Sequence, residues 1–150
     1  MRGGDDSPVV LRNEPFQHDG TPMPTRYWLV DPTLTAAVGR IEAAGGVRAA
    51  EASIDPVELA DAHARHAAER DACIPADYAG PRPSGGVGGT RRGVKCLHAH
   101  YAWFLAGGDD PVGRWVRDRL ADAEDRGLAI QPGRAPGIRP GGAERAGWAE

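Results

Sequence analysis

No stretch of this 150-residue chain approaches the ~18 uninterrupted apolar residues that a membrane-spanning helix requires. The first residues, Met1 to Pro8, carry Gly and Asp and lack the apolar segment of a secretory leader. Cysteine is scarce: only Cys73 and Cys96 are present, and without an export signal they read as free thiols rather than a disulfide. A basic excess is missing as well, and the net charge of −3 argues against a general nucleic-acid binder. Together these absences predict a cytoplasmic protein. Large apolar residues are few, because much of the 41% hydrophobic content is alanine. The core is therefore expected to rest on the four Trp with Leu11, Leu29, Ile41, Leu97, Phe104 and Leu120. A chain of this length can still bury such a core without a metal or disulfide framework. No internal repeat is visible.

What is present alternates strand and helix signals. Val9 to Leu11 and Arg26 to Val30 read as short strands through β-branched and aromatic enrichment. The loop between them, Glu14 to Thr25, holds a turn at Asp19-Gly20 and extended chain at Pro22 and Pro24. An antiparallel hairpin follows, its loop long enough to cover a ligand; His18 in that loop reads more simply as part of a surface turn. Asp31-Pro32, Asp55-Pro56 and Asp110-Pro111 each combine an N-capping carboxylate with proline at the first helical position. The first helix repeats Leu34, Ala37, Val38 and Ile41 and stops at Gly45-Gly46. Val47 to Ile54 can supply a third strand. A second helix is expected from Pro56 to about Ala72, a third from Val94 to Ala106, and a fourth from Pro111 to near Arg126. The expected fold class is α+β: a small antiparallel sheet, hairpin plus third strand, packed with about four helices in one domain over 1–126. The Gly/Pro-rich tail, 127–150, is expected to be disordered.

Two neighbouring segments carry chemistry. Gly85 to Gly93 leads into the third helix, and its backbone N–H groups with Arg91, Arg92 and Lys95 suit a phosphate or carboxylate. The expected ligand-binding residues are Gly89, Thr90, Arg91, Arg92, Lys95 and His98. The loop is not a Walker A motif, since the Gly-Lys-Ser/Thr ending is missing, and a flexible basic linker is the plainer alternative. Next comes Cys96-x-His98-x-His100, a set of natural zinc ligands. On a helix, Cys96 and His100 lie about 40° apart and His98 about 160° away, so one metal cannot take all three. On the second helix, Leu59, His63, His66, Arg70 and Cys73 share a face. A zinc site from Cys96, His100, His63 and His66, with Cys73 near, is therefore one expectation. A buried cysteine with hydrogen-bonded or exposed histidines outweighs it. A third reading makes Cys96 a thiolate activated by its place in the first helical turn, although no acid is clearly placed to orient His100. Asp109 and Asp110 read as helix caps. Glu69, Asp71 and the charges from Arg117 to Arg126 read as a solvated face, and Trp28, Trp103 and Trp115 as core.

The segments Asp19-Gly20-Thr21-Pro22, Thr25-Arg26-Tyr27-Trp28-Leu29, Gly88-Gly89-Thr90, Lys95 to Tyr101 and Asp110-Pro111-Val112-Gly113 occur in the order found in one bacterial family. Over roughly residues 9–120 the chain resembles the family called domain of unknown function 501. The resemblance implies a group rather than a mechanism. Members are typical of actinobacteria and often encoded near a septum-formation initiator protein and an exopolyphosphatase, which implies a link to cell division or phosphate metabolism. Many members carry a cysteine before the proline that follows the Tyr-Trp-Leu strand. Here Asp31 holds that place and no cysteine precedes Cys73, so any metal site built on it in relatives is lost or replaced. The combined expectation is a small binding or regulatory module with an anion site at Gly89–Lys95, a phosphate-containing ligand being one candidate. The alternative is a metal- or thiol-dependent enzyme using Cys96 and His100.

Overall fold

The computed structural model describes residues 7–126; the expected tail, 127–150, lies outside them. Strands β1 (Val10–Arg12) and β2 (Tyr27–Leu29) pair antiparallel, with Val10 opposite Leu29, Leu11 opposite Trp28 and Arg12 opposite Tyr27. Five helices follow: α1 (Pro32–Ala43), α2 (Gly46–Ser53), α3 (Pro56–Asp71), α4 (Leu97–Leu105) and α5 (Pro111–Asp125). The class is α+β. Among the described residues no helix is long and apolar enough to cross a membrane.

The three Asp-Pro signals behave as their chemistry dictates. Asp31 accepts from the Leu34 N–H at 2.8 Å, Asp55 from Val57 and Glu58, and Asp110 from Gly113 at 2.8 Å. Each carboxylate satisfies orphan donors that proline at the next position does not need.

The third strand does not form. Residues 46–53 are helix α2, entered through Gly45 at φ 87°. Its alanines favour helix, and Val47, Ala50 and Ile54 at spacings of three and four put one face on the core. Leu11 and Trp28 also depart from expectation, at 44% and 46% exposed. Side chains alternate along a strand, so these cross-strand partners share the outer face while Val10 and Tyr27 turn inward.

Helix α4 organises the core. Leu97, Ala99, His100, Tyr101, Ala102 and Trp103 are all buried, so it is covered on nearly every side. One cluster joins it to α1, α2, α3 and α5 through Val38, Ala50, Leu59, Val112, Val116 and Leu120. A second joins it to the hairpin and α3 through Val10, Tyr27, Ala62, Val87 and Trp103. Phe104 and Trp115 are only partly buried. Gly113 lets α5 approach α4 closely, since a Cβ there would collide with the Phe104 side chain.

Glu69, expected on a solvated face, ties three elements together. It accepts from the Tyr27 hydroxyl and from the Trp103 indole N–H at 2.9 Å, and lies 3.6 Å from Arg26. Burial opposes its charge, yet these donors and the Arg26 guanidinium hold its carboxyl below the usual range.

Candidate functional site

The Gly-rich loop is fastened to α3 from below. His63 Nδ1 accepts from the Val87 N–H at 3.1 Å, so Nε2 carries the ring proton and donates to the Gly93 carbonyl at 3.0 Å. One imidazole thus pins both ends of segment 87–93. Two turns further along, buried Arg70 donates to the Gly85 carbonyl at 2.7 Å. Gly86 has to be glycine because a Cβ there would overlap the His63 ring. Within the loop, Gly88 and Gly89 are both left-handed, at φ 65° and 75°.

The expected anion site at the start of α4 is already filled. The helix begins at Leu97 rather than Val94, with Cys96 as its extended N-cap. The Leu97 N–H donates to the Glu42 carboxylate at 2.5 Å, so a carboxylate from the last turn of α1 sits where an external anion was expected. His98 completes this contact, with Nε2 donating to the Thr35 carbonyl at 3.1 Å and Nδ1 3.2 Å from the same Glu42 oxygen. Lys95 turns back to the Gly88 carbonyl at 3.2 Å, and the Thr90 hydroxyl donates to the Arg92 carbonyl at 2.7 Å. Gly89 packs on Pro24. Lys95, Thr90, Gly89 and His98 are therefore occupied in holding the fold. Replacing Glu42 with alanine is expected to cost about 1–2 kcal/mol, measured as a lower urea midpoint; an unchanged midpoint would contradict the capping role.

The residues expected to bind zinc part company. Cys96 packs among the hairpin and α4 side chains, and Cys73 is exposed beyond the end of α3. His63, His66 and His100 do form a buried cluster: His63 and His100 have ring centroids 5.6 Å apart, and His66 meets Trp103 edge-on at 5.1 Å. Both His63 nitrogens are already used, however. His100 Nδ1 is bound 2.7 Å from Asp110 Oδ2, leaving His66 Nδ1 and His100 Nε2 as the buried ring nitrogens without a partner. Among the described residues no group of three or more His, Cys, Asp or Glu side chains is arranged to hold a metal ion. An orienting acid for His100 therefore does exist, and it is Asp110, which caps α5 with its other oxygen. Cys96 does not fit an activated thiolate. Burial pushes its thiol up, and the nearby Glu42 carboxylate adds to the rise against the pull of backbone N–H groups and Lys95.

Arg91 and Arg92 have a different setting. With Gly93 and His63 they line a pocket of about 290 Å³ whose wall is Ile54, Pro56, Leu59 and Ala60, with Glu51 at its edge. Neither guanidinium has a hydrogen bond or ion pair among the described residues, nor does the Glu51 carboxylate. Elsewhere some exposed charges pair, Arg114 with Glu58 and Asp109, Arg65 with Asp109, and Arg117 with Asp118, while Arg12, Arg40, Arg48 and Asp61 are unpaired among the described residues. Apolar walls with a few converging polar groups are the usual make-up of a small-molecule site.

The family model described as Protein of unknown function (DUF501) matches residues 1–118. The chain belongs to this family. No curated protein and no solved structure matches it. The pocket, its His63 clamp and the Asp110–His100 pair all fall inside the matched part of the DUF501 domain. The sequence singles out Arg91 and Arg92 for an anion at the helix start and His63 only as a possible zinc ligand; it gives no sign of Glu42, Glu51 or the pairing of Asp110 with His100. For the first two there was no local signal, since both are acidic residues on alanine-rich helical stretches. For Asp110 the capping motif was visible, and its second oxygen was free to do more.

Proposed function

We propose that this DUF501 domain is a small binding or regulatory module that takes a small organic anion in the pocket beside Gly93, with Arg91 and Arg92 as the anion contacts. One observation carries the reading: two adjacent guanidinium groups, with no hydrogen bond or ion pair among the described residues, line a pocket with an apolar wall. Guanidinium groups suit phosphate and carboxylate because their planar N–H pairs bind two oxygens at once. A phosphate-bearing ligand fits this chemistry and the expected link to phosphate metabolism. The His63 clamp fixes the backbone of segment 87–93 before the ligand arrives, which lowers the backbone ordering cost of binding.

Calorimetric titration with phosphate, polyphosphate and nucleotides tests the reading. Binding is expected with at least one of them, weakening at least tenfold in the R91A/R92A double variant and with rising salt, while K95A binds as the wild type does. No heat with any of them, or equal loss in K95A, would overturn it.

A further inference from the structure

The pocket offers more than cations. Glu51 stands at its edge on α2, with its carboxylate directly over the Gly93 turn; a Cβ on Gly93, whose φ is 64°, would strike that carboxylate. One acceptor-only group and two donor-only groups therefore line the same pocket and make no ion pair with one another. The exposed positions of all three would allow ion pairing if the backbone brought them together, and pairs of that kind occur across the α3–α5 surface. Unpaired opposite charges around an apolar wall suit a ligand that is anionic at one end and donates hydrogen bonds at the other.

The size and the wall narrow the class. A volume of about 290 Å³ is at the small end of ligand pockets, too much for a lone phosphate and too little for a dinucleotide. Ile54, Pro56, Leu59 and Ala60 offer apolar surface to the face of a planar ring. A flexible aliphatic amine would leave that surface uncovered and would give up chain entropy on binding. An ionised carboxylate accepts only, through two oxygens. Of the common bases, guanine presents two adjacent donors, its ring N1–H and exocyclic amino group. Adenine and cytosine set an acceptor beside their amino group, which would face the carboxylate with like partial charge.

We infer that the pocket binds a guanine mononucleotide, its phosphate on Arg91 and Arg92, its base along Ile54 to Ala60, and its N1–H and amino group on Glu51. This rests on the anion-binding reading above and adds the base. Recognition of this kind discriminates strongly, because a missing donor leaves a desolvated carboxylate oxygen without a partner.

The experiment is a calorimetric series on the full chain with inorganic phosphate, GMP, IMP, XMP and AMP. GMP is expected to bind at least tenfold tighter than IMP, which lacks the amino group, and tighter again than XMP, which puts a carbonyl there. In E51Q the GMP-to-IMP ratio is expected to fall towards one. Thermal unfolding of E51Q checks that this exposed substitution leaves the fold intact. If phosphate binds but GMP gains nothing over IMP, the guanine inference is overturned and the anion module stands. If neither phosphate nor any nucleotide binds, both are overturned. A ratio unchanged in E51Q would also overturn the base contact.

Discussion

Replacing Asp110 with alanine is expected to destabilise the protein by about 3–5 kcal/mol. One oxygen of this fully buried carboxylate caps α5 through the Gly113 N–H at 2.8 Å, and the other holds His100 Nδ1 at 2.7 Å. Its removal takes away a helix cap and leaves the His100 ring N–H without an acceptor in a dry interior, where an unsatisfied donor is costly. His100 lies in α4, the helix that both core clusters share, so the damage is not confined to one edge. Domains of this size are stable by about 5–15 kcal/mol in total, so the variant should be largely or partly unfolded at moderate urea. Asn, which keeps the capping oxygen, should recover part of the loss. Urea unfolding of wild type, D110N and D110A provides the ranking; an alanine variant within about 1 kcal/mol of wild type would show that the pair does not hold the core.

The second large effect is acid sensitivity. Burial lowers the His66 imidazole from 6.5 to about 4, and the cation of Arg70 adds to the fall, while Glu69 and Asp110 oppose it. The unfolded chain therefore takes up this proton near pH 6.5, but the folded chain only near pH 4. Between those values the unfolded state binds more protons, so stability falls as the pH falls. The full contribution is present above pH 6.5 and gone below pH 4. The gap corresponds to about 3 kcal/mol. His63 acts in the same direction, lowered chiefly by burial, and the nitrogen that would be protonated is the one that accepts from Val87. Acid should therefore loosen the Arg91–Arg92 loop along with the fold. Urea unfolding at pH 7, 5.5 and 4 reads the slope, and H66Q should flatten it by close to one proton. A slope identical in H66Q and wild type would assign the acid loss to other groups.

How much of this was readable beforehand depends on the range of each interaction. The caps at Asp31, Asp55 and Asp110 are local chemistry between neighbours in sequence, and all three appear as their motifs indicate. Of the face expected from helical geometry, Leu59, His63, His66 and Arg70 are buried, while Cys73, the fifth member, lies beyond the end of α3 and is exposed. Residues 47–54, expected as a strand, are helical, because spaced apolar residues in a short stretch suit either period and its alanines favour helix. The contacts that redefined the site are long-range. Glu42 reaches Leu97 across 55 residues and Glu69 reaches Tyr27 across 42. No spacing rule announces such pairs. The Cys96–His100 geometry failed for a local reason: with Cys96 extended at the N-cap, the regular angular step between these two residues does not apply.

The most direct test of the central claim is residue-resolved NMR during a phosphate titration. Saturable shifts are expected at the Arg91 and Arg92 side chains and at the Gly93 amide, with little change at the Leu97 amide, which Glu42 already holds. Shifts centred on Leu97 and Lys95 with Arg91 and Arg92 unmoved, or no saturable shift at all, would contradict it.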